Sequence, residues 1–376
     1  MPTIHWLGAG LSSAPGIRRL AASDRPFVLW NRTLSKAQAV LEDVSADARE
    51  LNWSELTTAV QPDDIVVSML PADFHQRVAE LCLQGDAHFV CSSYLSPAMD
   101  ALDAEAKAKG LRFVSEVGLD PGIDHLMAHA LMADYQASGL MNPTHEHRFR
   151  SYCGGFPSKP NDFRYKFSWS PLGVLRALKT PARWIEKGAE TTTEKPWQAL
   201  SSHTVNLPGG EETFQAYPNR DSIPFTEPYG FTPDFNLQAF VRGTLRLDGW
   251  AEAWQEIFAV VDSSATGEDE LKRLSDSLWK RHAYDPDESD RVILHVEMTV
   301  TEGDNPVWSG AFALDEHGDK TGSAMARLVS KTVSIAVEAV LDDELPSGVS
   351  AAPSDPQTAD VWMAKLVASG ECIVRV

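Results

Sequence analysis

Near its start the chain reads Thr3-Ile4-His5-Trp6-Leu7-Gly8-Ala9-Gly10. An apolar strand that turns at a G-x-G and passes into a helix is typical of a dinucleotide-binding βαβ unit. The glycines let the backbone approach a pyrophosphate, and the N-terminus of the next helix offers N–H groups to it. A tight structural turn is the alternative, because the third glycine of the usual motif is replaced here by Ser13. We assign to this cofactor loop the residues Gly8, Gly10, Leu11, Ser12 and Ser13.

The first third of the chain continues in the same rhythm, with short apolar runs between helical patterns. This alternation predicts an α/β fold, in which helices cover the faces of a parallel sheet. One unit is explicit, because Ser96 can cap a helix that begins at Pro97 and ends at Gly110. The predicted strands are Thr3–Leu7, Phe27–Trp30, Ile65–Met69, Phe89–Ser92 and Leu111–Val114.

The end of the second predicted strand bears on which dinucleotide binds. A site for NAD places an acidic residue about 20 residues after the glycines, on the ribose hydroxyls. Here the chain reads Asn31-Arg32-Thr33, in which Arg32 can pair with a 2′-phosphate and its neighbours can hydrogen-bond it. NADP(H) is therefore favoured and NAD stays possible, while an arginine that merely starts the next helix is the alternative. Ligands bind outside the carboxyl ends of parallel strands, so Leu70 and Pro71 are expected on the nicotinamide side.

Composition and charge argue against several classes of protein. The chain has 376 residues, enough for two domains, and a formal net charge of −20. A nucleic-acid partner is not expected, because phosphate backbones require a local excess of Lys and Arg. The sequence has no long apolar run and no pattern of a secretory leader, which predicts a cytoplasmic protein without a membrane partner. The four cysteines lack C-x-x-C spacing, so we expect free thiols and no metal site.

From about residue 128 the segments become longer and more aromatic, which indicates a second domain. The stretch Trp250–Leu278 has helical character. Residues Val292–Thr301 alternate between apolar and polar, which predicts a half-exposed strand of an antiparallel or mixed sheet. A helix is predicted over Ser323–Leu341, and a loop over Ala352–Pro356.

Several polar and aromatic blocks make the chain recognisable. They are Gly118–His125, Ser151–Pro157, Tyr165–Ser170 with Gly173–Leu175, Tyr217–Ser222, Arg242–Arg246 and Ser323–Val329. In these blocks the chain resembles the saccharopine dehydrogenases of the NADP-dependent, L-glutamate-forming type, also called saccharopine reductases. The blocks follow the family's order from the cofactor loop almost to the C-terminus, so a shared dinucleotide-binding domain alone does not explain the resemblance.

The resemblance implies a Rossmann domain, built on a doubly wound parallel sheet, beside an α+β domain with a mixed sheet and a small helical insert. On this basis the Rossmann domain comprises residues 1–127 and about 345–376. The substrate-binding and dimerisation domain comprises residues 128–344, with the insert within about 170–285. The chain is shorter than the fungal members, and we expect the missing length in this insert. A homodimer is ordinary for enzymes of this class.

The resemblance also implies an activity and its reacting residues. The family interconverts saccharopine with L-glutamate and 2-aminoadipate 6-semialdehyde, in lysine metabolism, by NADP(H)-dependent hydride transfer at a C–N bond. Tyr94, Asp120 and Cys153 match the polar residues that the family places around that bond, and they are our catalytic candidates. Which of Asp120 and Cys153 is the acid or base stays open. Taken alone, Asp120 is typical of a turn, Cys153 of a small buried residue and Tyr94 of a packed aromatic.

The implied substrate carries three carboxylates, which the forked donors of arginine bind well. Ser93, Arg220 and Thr244 match the family's substrate contacts. Lys166 and Arg242 are further cationic candidates, with a surface salt bridge as the alternative for either. The substrate candidates are therefore Ser93, Tyr94, Asp120, Lys166, Arg220, Arg242 and Thr244. The cofactor candidates gain Ser93, Leu119 and Ser170.

The sequence leaves two other functions open. A related NADP-dependent dehydrogenase could act on another amine, as carboxynorspermidine and opine-type dehydrogenases do. A Rossmann protein that senses NADPH without catalysis is the non-enzymatic alternative. Turnover assays with purified protein separate the three, because each predicts a different substrate or none.

Overall fold

The computed structural model describes all residues from Met1 to Val376. Its 16 strands are β1 (Ile4–Leu7), β2 (Phe27–Asn31), β3 (Asp47–Glu50), β4 (Ile65–Ser68), β5 (His88–Cys91), β6 (Arg112–Val114), β7 (Glu146–Pro157), β8 (Ala182–Glu186), β9 (Ala189–Thr193), β10 (Ser201–Leu207), β11 (Gly210–Pro218), β12 (Asn236–Arg246), β13 (Asp290–Glu302), β14 (Asn305–His317), β15 (Gly348–Ser350) and β16 (Ile373–Arg375). Its 13 helices are α1 (Ala14–Ala21), α2 (Leu34–Val40), α3 (Trp53–Ala59), α4 (His75–Gln84), α5 (Pro97–Asp100), α6 (Asp103–Ala108), α7 (Ile123–Ala137), α8 (Pro171–Lys179), α9 (Trp250–Ala253), α10 (Gln255–Asp262), α11 (Glu268–His282), α12 (Ala324–Leu341) and α13 (Pro356–Ala368). None of these helices has both the length and the apolar composition needed to span a bilayer.

Seven strands form a parallel sheet in the order β15-β6-β5-β4-β1-β2-β3. The order reverses between β1 and β4, so a crevice opens at the carboxyl ends of these two strands. Gly8 directly follows β1 and Met69 directly follows β4, which places both at this edge of the sheet. The doubly wound parallel sheet that the sequence predicts is thereby confirmed.

Two elements of this sheet differ from the sequence prediction. The pattern does not predict β3, because its residues Asp47–Glu50 are mostly charged and exposed, as suits a strand at a sheet edge. The single helix predicted after Ser96 is divided into α5 and α6. Its cap is as expected, since the Ser96 hydroxyl accepts the N–H of Met99 at 3.3 Å.

The second sheet is mixed, in the order β10-β11-β12-β7-β13-β14-β16, with β8 and β9 attached beside β12. Strands β12 and β7 run parallel, whereas the other neighbours are antiparallel. Helices α8 to α11 pack beside this sheet around a separate apolar core. A mixed sheet with a helical unit confirms the α+β part of the predicted fold class.

Strand β13 is more buried than its alternating sequence suggests. The alternation predicts that His295 faces solvent, yet only 3% of His295 is exposed. Strand β10 lies across this face, where His203 Nε2 and His295 Nδ1 are 3.0 Å apart. Packing by a strand that is distant in sequence therefore overrides the local pattern.

The main apolar core joins the two sheets. Its 49 buried residues include Trp6 of β1, Val296 of β13 and Ile335 of α12. Strand β15 completes the first sheet, whereas β16, the next strand in sequence, pairs with β14 in the second. Residues 373–375 thus belong to the second sheet, and the domain boundaries at residues 127 and 345 stay a prediction.

The packing of α1 against α12 depends on Gly16. A Cβ at Gly16 would lie 2.2 Å from the backbone oxygen of Ser330, and the Gly16 N–H donates to Ser330 Oγ at 2.8 Å. We expect Gly16→Ala to lower the free energy of unfolding by about 1–3 kcal/mol, because the helices must move apart. Urea denaturation measures this loss. Gly10→Ala is the matched control, since a Cβ there meets no atom within 4 Å. Equal losses in the two variants would contradict the packing role of Gly16.

Candidate functional site

The candidate site lies at the crevice formed by the ends of β1, β4 and β5. A Cβ on Gly8 would lie 2.8 Å from the backbone oxygen of Met69, and the Ser92 hydroxyl donates to Met69 Sδ at 3.5 Å. A Cβ on Gly118 would lie 3.0 Å from that of Ser92. The cofactor loop, the ends of β4 and β5 and the loop that follows β6 therefore lie next to one another.

The cofactor loop has the accessible backbone that binding of a pyrophosphate requires. Gly8 has a φ of +101°, which favours glycine, and its N–H donates to the backbone oxygen of Trp30 at 2.8 Å. Gly10 and Leu11 are exposed and Ser12 is half-buried, so the loop tip is accessible. Ser13 is buried at the start of α1, and its side chain does not cap the helix. The loop and the first turn of α1 therefore fit a dinucleotide phosphate.

The end of β2 is tied to this loop. Asn31 Oδ1 accepts the N–H of Ala9 at 3.1 Å, and Asn31 Nδ2 donates to the backbone oxygen of Thr33 at 2.8 Å. Arg32 and Thr33 are exposed, and the guanidinium of Arg32 has no partner within the protein. Its charge is therefore free to meet an anion beside the loop, such as a 2′-phosphate.

A buried ionic cluster stands beside the crevice. Arg242 of β12 donates through Nη2 to Asp120 Oδ1 at 2.9 Å and to Asp124 Oδ2 at 2.5 Å. The Tyr94 hydroxyl donates to the same oxygen of Asp120 at 3.1 Å. The Asp120 side chain is 15% exposed, and its second oxygen, Oδ2, has no partner within the protein. That oxygen is available to a ligand.

Burial and neighbouring charges separate the two carboxyl groups. Burial, reinforced by the charge of Asp124, raises the pKa of Asp120 to about 6, although Arg242 and the Tyr94 hydroxyl oppose this. Burial also acts to raise the pKa of Asp124, but His125 and Arg242 together hold that pKa below its ordinary value. Asp124 therefore stays charged at neutral pH, whereas Asp120 can gain or lose a proton at a pH close to neutral.

Cys153 lies near the two carboxylates, on β7, where Thr244 of β12 is its register partner. Burial, together with the charges of Asp120 and Asp124, raises the pKa of the Cys153 thiol well above its ordinary value. Burial likewise raises the pKa of the Tyr94 hydroxyl. Both groups keep their protons at neutral pH, so they can donate hydrogen bonds but do not act as bases.

Arg220 brings a second cation to the cluster. Its guanidinium carbon lies 5.5 Å from the centroid of the Tyr94 ring, and that of Arg242 lies 5.4 Å from the same ring. Arg220 is exposed, with a φ of +58° that non-glycine residues seldom adopt. No carboxylate of the protein pairs with it, so its charge is free for a ligand.

Arg246 is a third cation, which the sequence prediction omits. It follows Arg242 and Thr244 at intervals of two, so all three lie on one face of β12. That alternation is the sequence signal that could have identified it. Arg246 is only 6% exposed, no carboxylate pairs with it, and its Nε is buried without a partner. An unpaired buried cation is costly, so this place suits an anionic ligand. The guanidinium carbon lies within 5.4 Å of the ring centroids of Tyr165, Tyr217 and Trp250.

Two predicted residues are not joined to the cluster by any contact. Lys166 forms ion pairs with Glu288 and Asp285, so its charge is compensated within the protein. The Ser170 hydroxyl caps α8 by accepting the N–H of Gly173 at 3.2 Å. These two assignments stay predictions, without a contact that supports them.

The other predicted residues line the crevice. The side chain of Leu70 would lie 3.4 Å from a Cβ on Gly8, and Pro71 is exposed next to it. Leu119 is buried beside the loop of Asp120. Ser93 is half-buried, and its hydroxyl lies 2.8 Å from a ring nitrogen of His75.

A set of buried polar contacts stabilises the loop that carries Tyr94. Glu116 Oε1 accepts the N–H of Leu95 at 2.8 Å, and Glu116 Oε2 lies 2.9 Å from His125 Nε2. The other ring nitrogen of His125 is 2.6 Å from the Tyr229 hydroxyl. This chain of contacts fixes the Tyr94 loop relative to α7, and the sequence alone does not reveal it.

Comparison with known proteins decides the family. Residues 4–114 match the profile of the saccharopine dehydrogenase NADP binding domain, and residues 118–371 match that of the saccharopine dehydrogenase C-terminal domain. The chain belongs to the saccharopine dehydrogenase family. The resemblance inferred from the sequence blocks is confirmed.

Individual saccharopine dehydrogenases match over almost the full length. The NADP-dependent, L-glutamate-forming enzyme of Saccharomyces cerevisiae is 30% identical, over 96% of this chain and 95% of the relative. That of Pyricularia oryzae is 31% identical, over 97% and 96%. The apo structure of the S. cerevisiae enzyme aligns over 100% of both chains, with a TM-score of 0.82 and 27% identity. A homospermidine synthase from Legionella pneumophila, at 9% identity and a TM-score of 0.68, shares the fold alone.

Proposed function

We propose that this protein is an NADP(H)-dependent oxidoreductase that interconverts saccharopine with L-glutamate and 2-aminoadipate 6-semialdehyde, in lysine metabolism. The observation that carries the proposal is the cluster at the crevice. There Asp120 presents a free carboxylate oxygen, Arg220 lies over the ring of Tyr94, which bonds to Asp120, and Arg246 stands on the same face of β12 as Arg242. No carboxylate of the protein neutralises Arg220 or Arg246. The relatives that match over almost the full length are named for this reaction.

Proton transfer at the substrate nitrogen is the task that falls to the protein. Bound NADP(H) supplies or takes up the hydride at the substrate carbon. In the oxidative direction, Asp120 Oδ2 accepts the proton that leaves the amine nitrogen, and in the reductive direction it returns one. Asp120 suits this role better than Cys153, whose thiol keeps its proton. Tyr94 orients Asp120 through its hydroxyl.

The arginines divide between substrate binding and control of charge. Arg220 and Arg246 have no carboxylate partner, so each is suited to one substrate carboxylate. Arg242 is already paired with Asp120 and Asp124. We therefore assign Arg242 chiefly to holding Asp120 in place, although the sequence prediction places it on the substrate.

Steady-state assays of the purified protein test the proposal directly. We expect saccharopine-dependent reduction of NADP⁺ to exceed by far the turnover of carboxynorspermidine or of opines. The reverse reaction, with glutamate and the semialdehyde, is expected to oxidise NADPH. Faster turnover of another amine would reassign the enzyme, and turnover of none would favour a protein that only binds NADPH.

The cofactor preference depends on Arg32. We expect Arg32→Ala to weaken NADPH binding roughly 10- to 100-fold, since a charge-assisted hydrogen bond contributes about 1.5–3 kcal/mol. NADH, which lacks the 2′-phosphate, should bind almost equally to the variant and to the unsubstituted protein. Titration of nicotinamide fluorescence measures both dissociation constants. Equal losses for the two cofactors would refute the phosphate-pairing role.

We also propose a cytoplasmic homodimer that binds neither nucleic acid nor membrane. The four free cysteines suit a reducing compartment, and the net charge of −20 disfavours polyanionic partners. Dimers are the commonest assemblies of soluble enzymes. Sedimentation equilibrium tests the oligomeric state, and a monomer at all concentrations would overturn that part of the proposal.

A further inference from the structure

His75, the first residue of α4, connects two strand ends of the crevice. Its Nδ1 lies 2.8 Å from the hydroxyl oxygen of Ser68, the last residue of β4. Its Nε2 lies 2.8 Å from the hydroxyl oxygen of Ser93, just beyond β5. Ser93 borders Tyr94, whose hydroxyl is bonded to Asp120. A single side chain thus joins the β4 end to the loop that carries the reacting groups.

The imidazole of His75 is neutral at physiological pH. Burial lowers the pKa of His75 to about 4, although the charge of Asp73 opposes the shift. A neutral imidazole has one N–H and one bare nitrogen, so it donates one hydrogen bond and accepts the other. The two serine hydroxyls must therefore play opposite roles.

The burial of Ser68 decides which role each hydroxyl takes. Ser68 is 0% exposed, and its hydroxyl has no hydrogen-bond partner other than His75. If Nδ1 carried the proton, the hydroxyl hydrogen of Ser68 would be buried without an acceptor, which is costly. The Ser68 hydroxyl therefore donates to Nδ1, and Nε2 carries the proton and donates to Ser93.

We propose that His75 is a positioning residue that holds the Ser93 hydroxyl with its hydrogen directed at a ligand in the crevice. Because Ser93 accepts from Nε2, its own hydrogen is not used within the protein. The ligand atom is an oxygen acceptor, either a carboxylate of the substrate or the carboxamide oxygen of the nicotinamide. This identification of the acceptor rests on the proposed function, whereas the tautomer of His75 does not.

Two amide replacements separate the two bonds of His75. The amide of His75→Gln can reach the position of Nε2 and keep a donor for Ser93. The amide of His75→Asn reaches only the position of Nδ1, so it keeps Ser68 and loses Ser93. We expect Ser93→Ala and His75→Asn each to weaken ligand binding roughly tenfold, as loss of one hydrogen bond does. His75→Gln should retain most of the affinity.

The double variant of His75→Asn and Ser93→Ala tests whether the two residues act together. We expect it to bind no more weakly than Ser93→Ala alone, because His75 acts through Ser93. Multiplied losses in the double variant, or equal losses in the Gln and Asn variants, would overturn the proposal. A rise in the KM for saccharopine identifies a substrate carboxylate as the acceptor. A rise in the dissociation constant of NADPH identifies the carboxamide.

Nitrogen NMR of the ¹⁵N-histidine-labelled protein tests the tautomer without any substrate. The His75 signals are those that disappear in His75→Gln. We expect a protonated Nε2 and a bare Nδ1, and a protonated Nδ1 would overturn the proposal. If the protein does not turn over saccharopine while Nε2 carries the proton, the proposed function has failed and the positioning role of His75 has not.

Discussion

Asp120→Asn is expected to lower kcat about 10²- to 10⁴-fold, the usual contribution of a general acid–base group. The amide can still accept hydrogen bonds from Tyr94 and Arg242, but it cannot carry a proton to or from the substrate. In the unsubstituted enzyme, kcat/KM for saccharopine oxidation should fall as the pH drops through about 6, where Asp120 becomes protonated. Steady-state NADPH absorbance on both sides of that pH measures the profile, and the fall should be absent from the variant.

Cys153→Ser is the matched control for Asp120. The serine hydroxyl keeps a hydrogen-bond donor in the same place, and the thiol that it replaces is not ionised near neutral pH. We therefore expect a much smaller loss of kcat and an unchanged acidic fall in the profile. The roles would be reversed if Cys153→Ser were the more damaging change, with the acidic fall still present in Asp120→Asn. NADPH binding to both variants confirms that they are folded.

Arg242→Leu is expected to lower the free energy of unfolding by about 3–5 kcal/mol, because it leaves the buried carboxylate of Asp124 and the half-buried carboxylate of Asp120 without their cation. Both Asp120 and Asp124 bond to Nη2 of this side chain, which is only 5% exposed. Urea denaturation measures the loss. Arg220→Leu is the control, since that exposed arginine has no carboxylate partner, and we expect it to change stability by less than about 0.5 kcal/mol.

The loss in Arg242→Leu should depend on pH. Without the cation, the folded-state pKa of Asp120 rises further above that of the unfolded chain, and the pKa of Asp124 rises from its lowered value. The folded variant then holds these protons more tightly than the folded unsubstituted protein does, so the loss of stability is smallest at acidic pH and grows as the pH rises. A loss that is the same at acidic and alkaline pH would show that Arg242 acts by packing and not by charge.

Local patterns predict those parts of the fold that local interactions determine. The apolar run before Gly8 forms β1, and Ser323 caps α12, where its hydroxyl accepts the N–H of Ala326 at 3.1 Å. The burial of His295 is not predictable in this way, because β10 covers it from 92 residues away. Strand β3 also escapes prediction, since an edge strand needs no apolar face of its own.

The candidate site follows the same division. The resemblance singles out Tyr94 and Asp120, and the structure places the Tyr94 hydroxyl on the Asp120 carboxylate. The resemblance does not indicate that Lys166 is paired with Glu288, 122 residues away, or that Arg246 has no carboxylate partner. Whether a charge is neutralised depends on tertiary neighbours, and a single sequence names residue types without naming those neighbours.

The apolar core that joins the two sheets has a consequence for how the molecule denatures. One continuous core contains Trp6, Val296 and Ile335. Unfolding of either sheet would therefore expose to water the apolar residues that it shares with the other sheet. Heat or urea should therefore unfold the two sheets in one cooperative transition, in which the crevice beside β1 and β4 is lost together with the arginine-bearing face of β12. Above the melting temperature, we therefore expect no partly folded form that still binds the nucleotide or the amino-acid substrate.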